Sequence, residues 1–179
     1  VKRVPVRVQK KAAKIRLLLL DVDGVLTDGA IIIDSRGGET KRFDVRDGLG
    51  VALLIRSGIR VGFITGRSSD VVRLRAKELG VRIIYQGVQD KADVYDKIKH
   101  KTGLTDEEIA YVGDDIVDLP IMRRAGLAVA VRDSWPGIRP GVDYVTEAKG
   151  GRGAVREVSE LILKAQNHWQ RLADPYFDK

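Results

Sequence analysis

Leu17-Leu18-Leu19-Leu20-Asp21-Val22-Asp23-Gly24-Val25-Leu26-Thr27-Asp28-Gly29 is the stretch whose reading decides the fold. Four leucines in succession leave no polar face, as expected of a strand covered on both sides in the middle of a parallel sheet. The run ends in two carboxylates and a glycine. Ligands of open α/β sheets bind just beyond the carboxyl ends of such strands. Side chains two apart in extended chain point the same way, so Asp21 and Asp23 can face one substrate, one attacking while the other handles protons. Alone, Asp-x-Asp-Gly reads equally well as turn and capping aspartates, because both residue types favour turns. A calcium loop does not fit, since Val25 and Ala30 stand where oxygen ligands are needed.

Three more polar groups, each just after a predicted strand, weigh against the turn reading. Thr65 closes Arg60-Val-Gly-Phe-Ile64, Lys91 follows Val81 to Asp90, and Asp114-Asp115 follow Ile109-Ala-Tyr-Val-Gly113, with Asp118 behind them. A hydroxyl, an ammonium and a carboxylate cluster delivered from successive strand ends match the needs of phosphoryl transfer. Thr65 and the backbone N–H groups beside Gly66 can hold phosphate oxygens, and Lys91 can neutralise them. A metal is then required. Two like unit charges about 4 Å apart repel by roughly 4 kcal/mol at an effective dielectric near 20, so an anionic nucleophile needs a cation to approach a phosphate. Carboxylates of Asp21 and Asp114, a carbonyl from the Asp23 turn and water form an all-oxygen set suited to Mg²⁺. Zinc is not expected, because the chain has no cysteine and His100 and His168 lie far from these motifs.

In order and spacing, Asp21-Val-Asp23-Gly24, Thr65, Lys91 and Gly113-Asp114-Asp115 resemble the four motifs of the haloacid dehalogenase superfamily of aspartate-nucleophile phosphatases. The resemblance implies that Asp21 becomes phosphorylated and that Asp23 protonates the leaving alcohol and then activates water. It also implies that Thr65 and Lys91 bind phosphate and that Asp114 completes a Mg²⁺ site with Asp21 and Asp23. Over roughly residues 16–166 the chain is similar to the branch of that superfamily acting on 3-deoxy-D-manno-octulosonate 8-phosphate in lipopolysaccharide precursor synthesis. Val45-Arg46-Asp47-Gly48, Ile64-Thr-Gly-Arg67, Gly113 to Pro120 and Gly150-Gly-Arg-Gly153 to Glu157 carry that likeness. It implies that Asp44, Val45, Arg46, Asp47, Gly48, Arg67 and Arg75, with Asp23 and Lys91, contact the phosphorylated sugar acid. Rivals are a phosphatase of nine-carbon sialic-type 9-phosphates and a general sugar phosphatase. A non-catalytic oligomeric binding module would usually have lost a carboxylate, and both Asp21 and Asp23 are present.

Some roles stay open at this stage. Arg67 and Arg75 also suit surface ion pairs with Asp70 or Glu78. Asp118 can bind metal, orient Lys91 or cap the helix at Leu119-Pro120; support of its neighbours, together with Asp115, is the preferred reading. Trp135 and Trp169 read as packing anchors.

The 179 residues, 44% of them hydrophobic, suit one compact domain. The reading divides them into a basic, solvated arm over 1–15, a phosphatase domain over 16–166 and a tail over 167–179. The expected fold is α/β: a doubly wound, Rossmann-like parallel sheet with a short β-hairpin insertion over 30–43 and no large cap domain. Helices are expected over 48–55, 70–79, 91–101, 117–125 and 154–165, with Leu49, Leu53 and Leu54 on one face of the first. The net charge of +7 is spread along the chain without a nucleic-acid motif, which favours an anionic small substrate over nucleic acid. Neither a secretory signal nor a stretch of about 20 apolar residues is visible, so no membrane contact and a cytoplasmic location are expected. The row Ile31-Ile32-Ile33 must be covered, either by the chain's own core or, as the resemblance implies, by hairpins of a homotetramer whose neighbours complete each site.

Overall fold

The computed structural model describes residues 4–177, and the expected parallel sheet organises it. Along the chain come α1 (Val6–Ala12), β1 (Leu17–Leu20), β2 (Ile32–Ile33), β3 (Glu39–Thr40), α2 (Val45–Arg56), β4 (Arg60–Ile64), α3 (Asp70–Leu79), β5 (Ile83–Tyr85) and α4 (Lys91–Thr102). They are followed by β6 (Ile109–Gly113), α5 (Leu119–Met122), β7 (Leu127–Ala130), β8 (Tyr144–Val145), α6 (Ala154–Ala165) and α7 (Trp169–Phe177). Six strands pair in parallel in the order β5-β4-β1-β6-β7-β8. The chain builds outward from β1 to β5, then returns to the other side of β1 with β6. The carboxyl end of β1 therefore sits at the switch point, where ligands of such sheets bind.

The four leucines explain why β1 is central. Leu18 and Leu20 face a layer built by Val8 and Ala12 of α1, Val51 and Leu54 of α2, Val72 and Ala76 of α3, and Val155, Val158 and Ile162 of α6. Leu17 and Leu19 face the opposite layer, with Tyr95 and Ile98 of α4 and Ile121 and Met122 of α5. All four are fully buried, which by transfer energies stabilises the fold by about 1.5–3 kcal/mol apiece. Close contact of α2 with α6 requires Gly50, whose added Cβ would meet Ser159 Oγ at 2.9 Å.

Differences from the sequence reading have local causes. Helix α2 begins at Val45 rather than 48, because the Asp44 carboxylate accepts from the Arg46 N–H and caps the first turn. Leu49 is exposed, and the inner face of α2 is made by Val51, Leu53 and Leu54. The helix expected over 117–125 is a 3₁₀ turn, Ile116–Asp118, followed by the short α5. Pro120 has no N–H to carry a continuous α-helical ladder through that point. Within the basic arm, residues 6–12 are helical and bury Val8 and Ala12, while Lys10 stays exposed. The tail carries α7, whose Trp169 packs on the core beneath Arg156 and Lys164. Trp135 is instead half exposed, and its backbone N–H donates to the Asp114 carbonyl.

The hairpin is present but short, with Ile32 opposite Thr40 and Ile33 opposite Glu39. Its isoleucines are not covered by their own chain: Ile31, Ile32 and Ile33 remain 56%, 49% and 59% exposed. Among the described residues no helix is long and apolar enough to cross a membrane.

Candidate active site

Asp21 is the first residue past β1, and its N–H still donates to Val112 of β6 at 3.0 Å. Val22 turns into the core, so Asp21 and Asp23 emerge on the same side. The chain then folds back, with Leu26 and Thr27 donating to the Val22 carbonyl and Thr27 Oγ1 accepting from Gly24 and Gly29. Gly24 has a φ of +88°, and a Cβ there would fall 2.1 Å from Asp114 Oδ2. Only glycine lets this turn pass beside Asp114.

Carboxylate oxygens of Asp21, Asp114 and Asp118 lie within 4.8 Å of one another. Asp118 is the member whose oxygens are already occupied. Its Oδ1 accepts from Lys91 Nζ at 2.7 Å and Tyr111 OH at 2.6 Å, and its Oδ2 from the N–H groups of Asp114 and Asp115 at 2.9 and 3.2 Å. It fixes both the lysine and the loop bearing Asp114. Lys91, the first residue of α4, also reaches Asp21 Oδ1 at 3.0 Å. Asp115 is exposed and caps the 3₁₀ turn through its own Oδ1.

Charge is unevenly satisfied here. Burial, then the neighbouring Asp118, pushes Asp21 up to about 6 against the pull of Lys91. Burial, then Asp21, Asp118 and Asp115, pushes Asp114 up to about 8. Lys91 is held above its usual range: burial opposes its charge, but Asp21 and Asp118 outweigh that. One ammonium among three carboxylates leaves a deficit of positive charge, and the open donors, Asp21 and Asp114, are hard oxygens. This is the environment a divalent cation with oxygen ligands fits.

A cleft of about 220 Å³ opens above the cluster, lined by Asp21, Asp23, Thr65, Gly66, Arg67, Val88, Gln89, Lys91 and Val117. Thr65 follows β4, is buried, and accepts from the Arg67 N–H through its Oγ1 at 3.3 Å. Arg67 stands at the rim with Nε 3.9 Å from Asp23 Oδ2 and a terminal nitrogen 3.1 Å from Glu39 Oε1. Lys41, which the sequence reading did not single out, donates to Asp23 Oδ1. Glu39 and Lys41 alternate with Thr40, the spacing of one strand face, and that spacing was its only signal.

The structure brings Asp21, Asp23, Thr65, Arg67, Lys91, Asp114 and Asp118 together and employs the remaining candidates elsewhere. The Asp44 carboxylate caps α2 and pairs with Arg46 at 2.6 Å; that arginine holds it below the usual carboxylate range. Val45 is exposed beside them. Asp47 is buried and accepts from the N–H groups of Gly153 and Arg156 at 3.1 and 2.7 Å, tying α2 to the start of α6. Arg75 packs over Gly48 and the Phe43 ring and pairs with Glu78 at 2.8 Å.

A family model for haloacid dehalogenase-like hydrolases matches residues 80–158. The 3-deoxy-D-manno-octulosonate 8-phosphate phosphatase KdsC of Salmonella typhi is 48% identical over 163 residues, covering 91% of this chain and 87% of that protein. The chain belongs to the haloacid dehalogenase-like hydrolases, among the KdsC phosphatases. It is thus a phosphomonoesterase. Solved KdsC phosphatases share its fold. The Yersinia pestis enzyme superposes with a TM-score of 0.91 at 47% identity, covering 92% of this chain and 89% of that one. The Moraxella catarrhalis enzyme, solved with a magnesium ion, a phosphate ion and a KDO molecule, gives 0.93 at 47% identity, covering 94% and 97%. The cobalt-bound enzyme of Haemophilus influenzae gives 0.88 at 38% identity, covering 94% and 99%.

Proposed function

We propose that this chain hydrolyses 3-deoxy-D-manno-octulosonate 8-phosphate with Mg²⁺ through a phosphoaspartyl intermediate on Asp21, in lipopolysaccharide precursor synthesis. The observation that carries the reading is the placement of Asp21. Its carboxylate lies at the switch point of the sheet, against Lys91, in a cleft shared with Asp23 and Thr65. The relative solved with magnesium, phosphate and KDO supports the choice of substrate and metal.

Asp21 attacks phosphorus, and the bond from phosphorus to the sugar oxygen breaks as Asp23 gives that oxygen its proton. Asp23, now ionised, takes a proton from water as the water attacks the acyl phosphate, which releases inorganic phosphate and restores Asp21. Thr65 Oγ1 and Lys91 hold the phosphoryl oxygens, and Asp118 keeps Lys91 in place. Mg²⁺ held by Asp21, Asp114 and the Asp23 carbonyl would neutralise charge on the transferring group. Arg67 at the rim offers a fork for the remote carboxylate of the sugar acid. The half-exposed isoleucine row supports assembly through the hairpins, as a homotetramer.

Asp21→Asn tests the chemistry, because an amide cannot form the acyl phosphate and the change is nearly isosteric. Phosphate release should vanish while the fold is kept, as circular dichroism reads it. Substantial residual turnover would remove Asp21 as the nucleophile.

A further inference from the structure

Lys41 lies just past β3 on the return arm of the hairpin, yet its side chain is only 1% exposed. On a two-stranded ribbon a lysine ordinarily reaches water while isoleucine hides. Here the order is reversed. Enclosing an ammonium carries a desolvation cost that only close partners offset, and those partners are Asp23 Oδ1 and, at 3.3 Å, Glu39 Oε1. The other oxygen of Asp23 is approached by Arg67 Nε, at 3.9 Å. Asp23 and Arg67 line the cleft; Lys41 and Glu39 do not. Lys41 therefore touches the cleft directly through Asp23, and through Glu39 only by way of Arg67.

We propose that Lys41 is a positioning residue for Asp23, pinning Oδ1 so that Oδ2 is presented to the oxygen that gains or loses a proton. The inference rests on the reading of Asp23 as the acid and base. An aspartate carboxylate turns broadly about its last torsion, so a fixed partner on one oxygen sets the direction of the other. In the first half-reaction Oδ2 delivers its proton to the sugar oxygen as the phosphorus–oxygen bond breaks. In the second it takes one from water as the phosphate leaves Asp21. Lys41 keeps its protons throughout. Because Lys41 belongs to the hairpin, seating of that ribbon and proton transfer become one event.

The test compares Lys41→Met, Lys41→Gln and Lys41→Arg with Asp23→Asn in rapid mixing. Two substrates are used: the octulosonate 8-phosphate, whose alkoxide must be protonated to leave, and 4-nitrophenyl phosphate, whose phenolate leaves without a proton. Lys41→Met should lower kcat on the sugar phosphate by roughly tenfold to a hundredfold, within the range for acid–base catalysis, with KM changed less than about threefold. The first-turnover burst of nitrophenolate should keep its rate, and Lys41→Arg should recover most of kcat. Lys41→Gln, whose neutral amide ends one bond short of the ammonium, is the variant to read if Lys41→Met does not fold, and it should show the same split between substrates. An equal loss on both substrates, a loss confined to KM, or unchanged kcat in a folded variant would overturn the role. If Asp23→Asn itself leaves sugar-phosphate turnover intact, the reading of Asp23 has failed instead.

Discussion

Asp118 lets three carboxylates share one corner of the core: two hydroxyl or ammonium donors take one of its oxygens and two backbone N–H groups the other. Asp114 has no such donors on its side chain among the described hydrogen bonds, and it is the carboxyl pushed up to about 8, with Asp21 at about 6. A carboxyl whose folded value exceeds its ordinary 3.8 binds its proton more tightly in the folded chain than in the unfolded one. Its contribution to stability is therefore complete at acid pH and is lost as pH rises towards the folded value. The metal-free protein should lose melting temperature between about pH 4 and pH 8. Mg²⁺, by binding the folded state, should oppose that loss, so the gap between melting temperatures in Mg²⁺ and in chelator should widen with pH. Asp114→Asn should flatten both curves. A gap that does not change with pH would contradict this account of the cluster. Most of this site was legible because Asp21, Thr65 and Asp114 directly follow apolar runs and Lys91 opens the helix after the next strand, where a parallel sheet delivers its polar ends. Lys41 was not, because its contact with Asp23 depends on how the hairpin folds back over β1, and local spacing says nothing about that path.

Element by element, legibility followed the strength of the periodic signal. Helix α6 spans the expected 154–165, since Val155, Val158, Leu161 and Ile162 make a continuous inner stripe. Helix α1 has few apolar residues among its basic ones, too few to stand out, yet Val8 and Ala12 are buried against the α6 layer. The assignment of 44–48 to substrate binding came from likeness alone, and the geometry gives Asp44 and Asp47 structural work at the starts of α2 and α6. The hairpin shows the opposite case: its existence was plain, but its cover is not supplied by its own chain. Replacing Ile31 and Ile33 with lysine should therefore yield a smaller species in light scattering, because a charge at an apolar contact is opposed by desolvation. If hairpin seating sets Asp23 through Lys41, the smaller species should also turn over more slowly. A double variant of unchanged molar mass would remove the hairpin from the assembly.

At the scale of the whole molecule, the doubly wound sheet collects groups from four strand ends at one switch point, and the net charge of +7 favours the approach of an anion with both phosphate and carboxylate. A cleft whose rim arginine can bind a remote carboxylate gains that contact only from the acid, and so should discriminate against neutral sugar phosphates. The most direct test is kcat/KM with Mg²⁺ over a panel holding 3-deoxy-D-manno-octulosonate 8-phosphate, a nine-carbon sialic-type 9-phosphate and glucose 6-phosphate. The octulosonate should rank first and glucose 6-phosphate should be poor. Equal values for the acid and neutral sugar phosphates, or first place for the nine-carbon acid, would contradict the assignment.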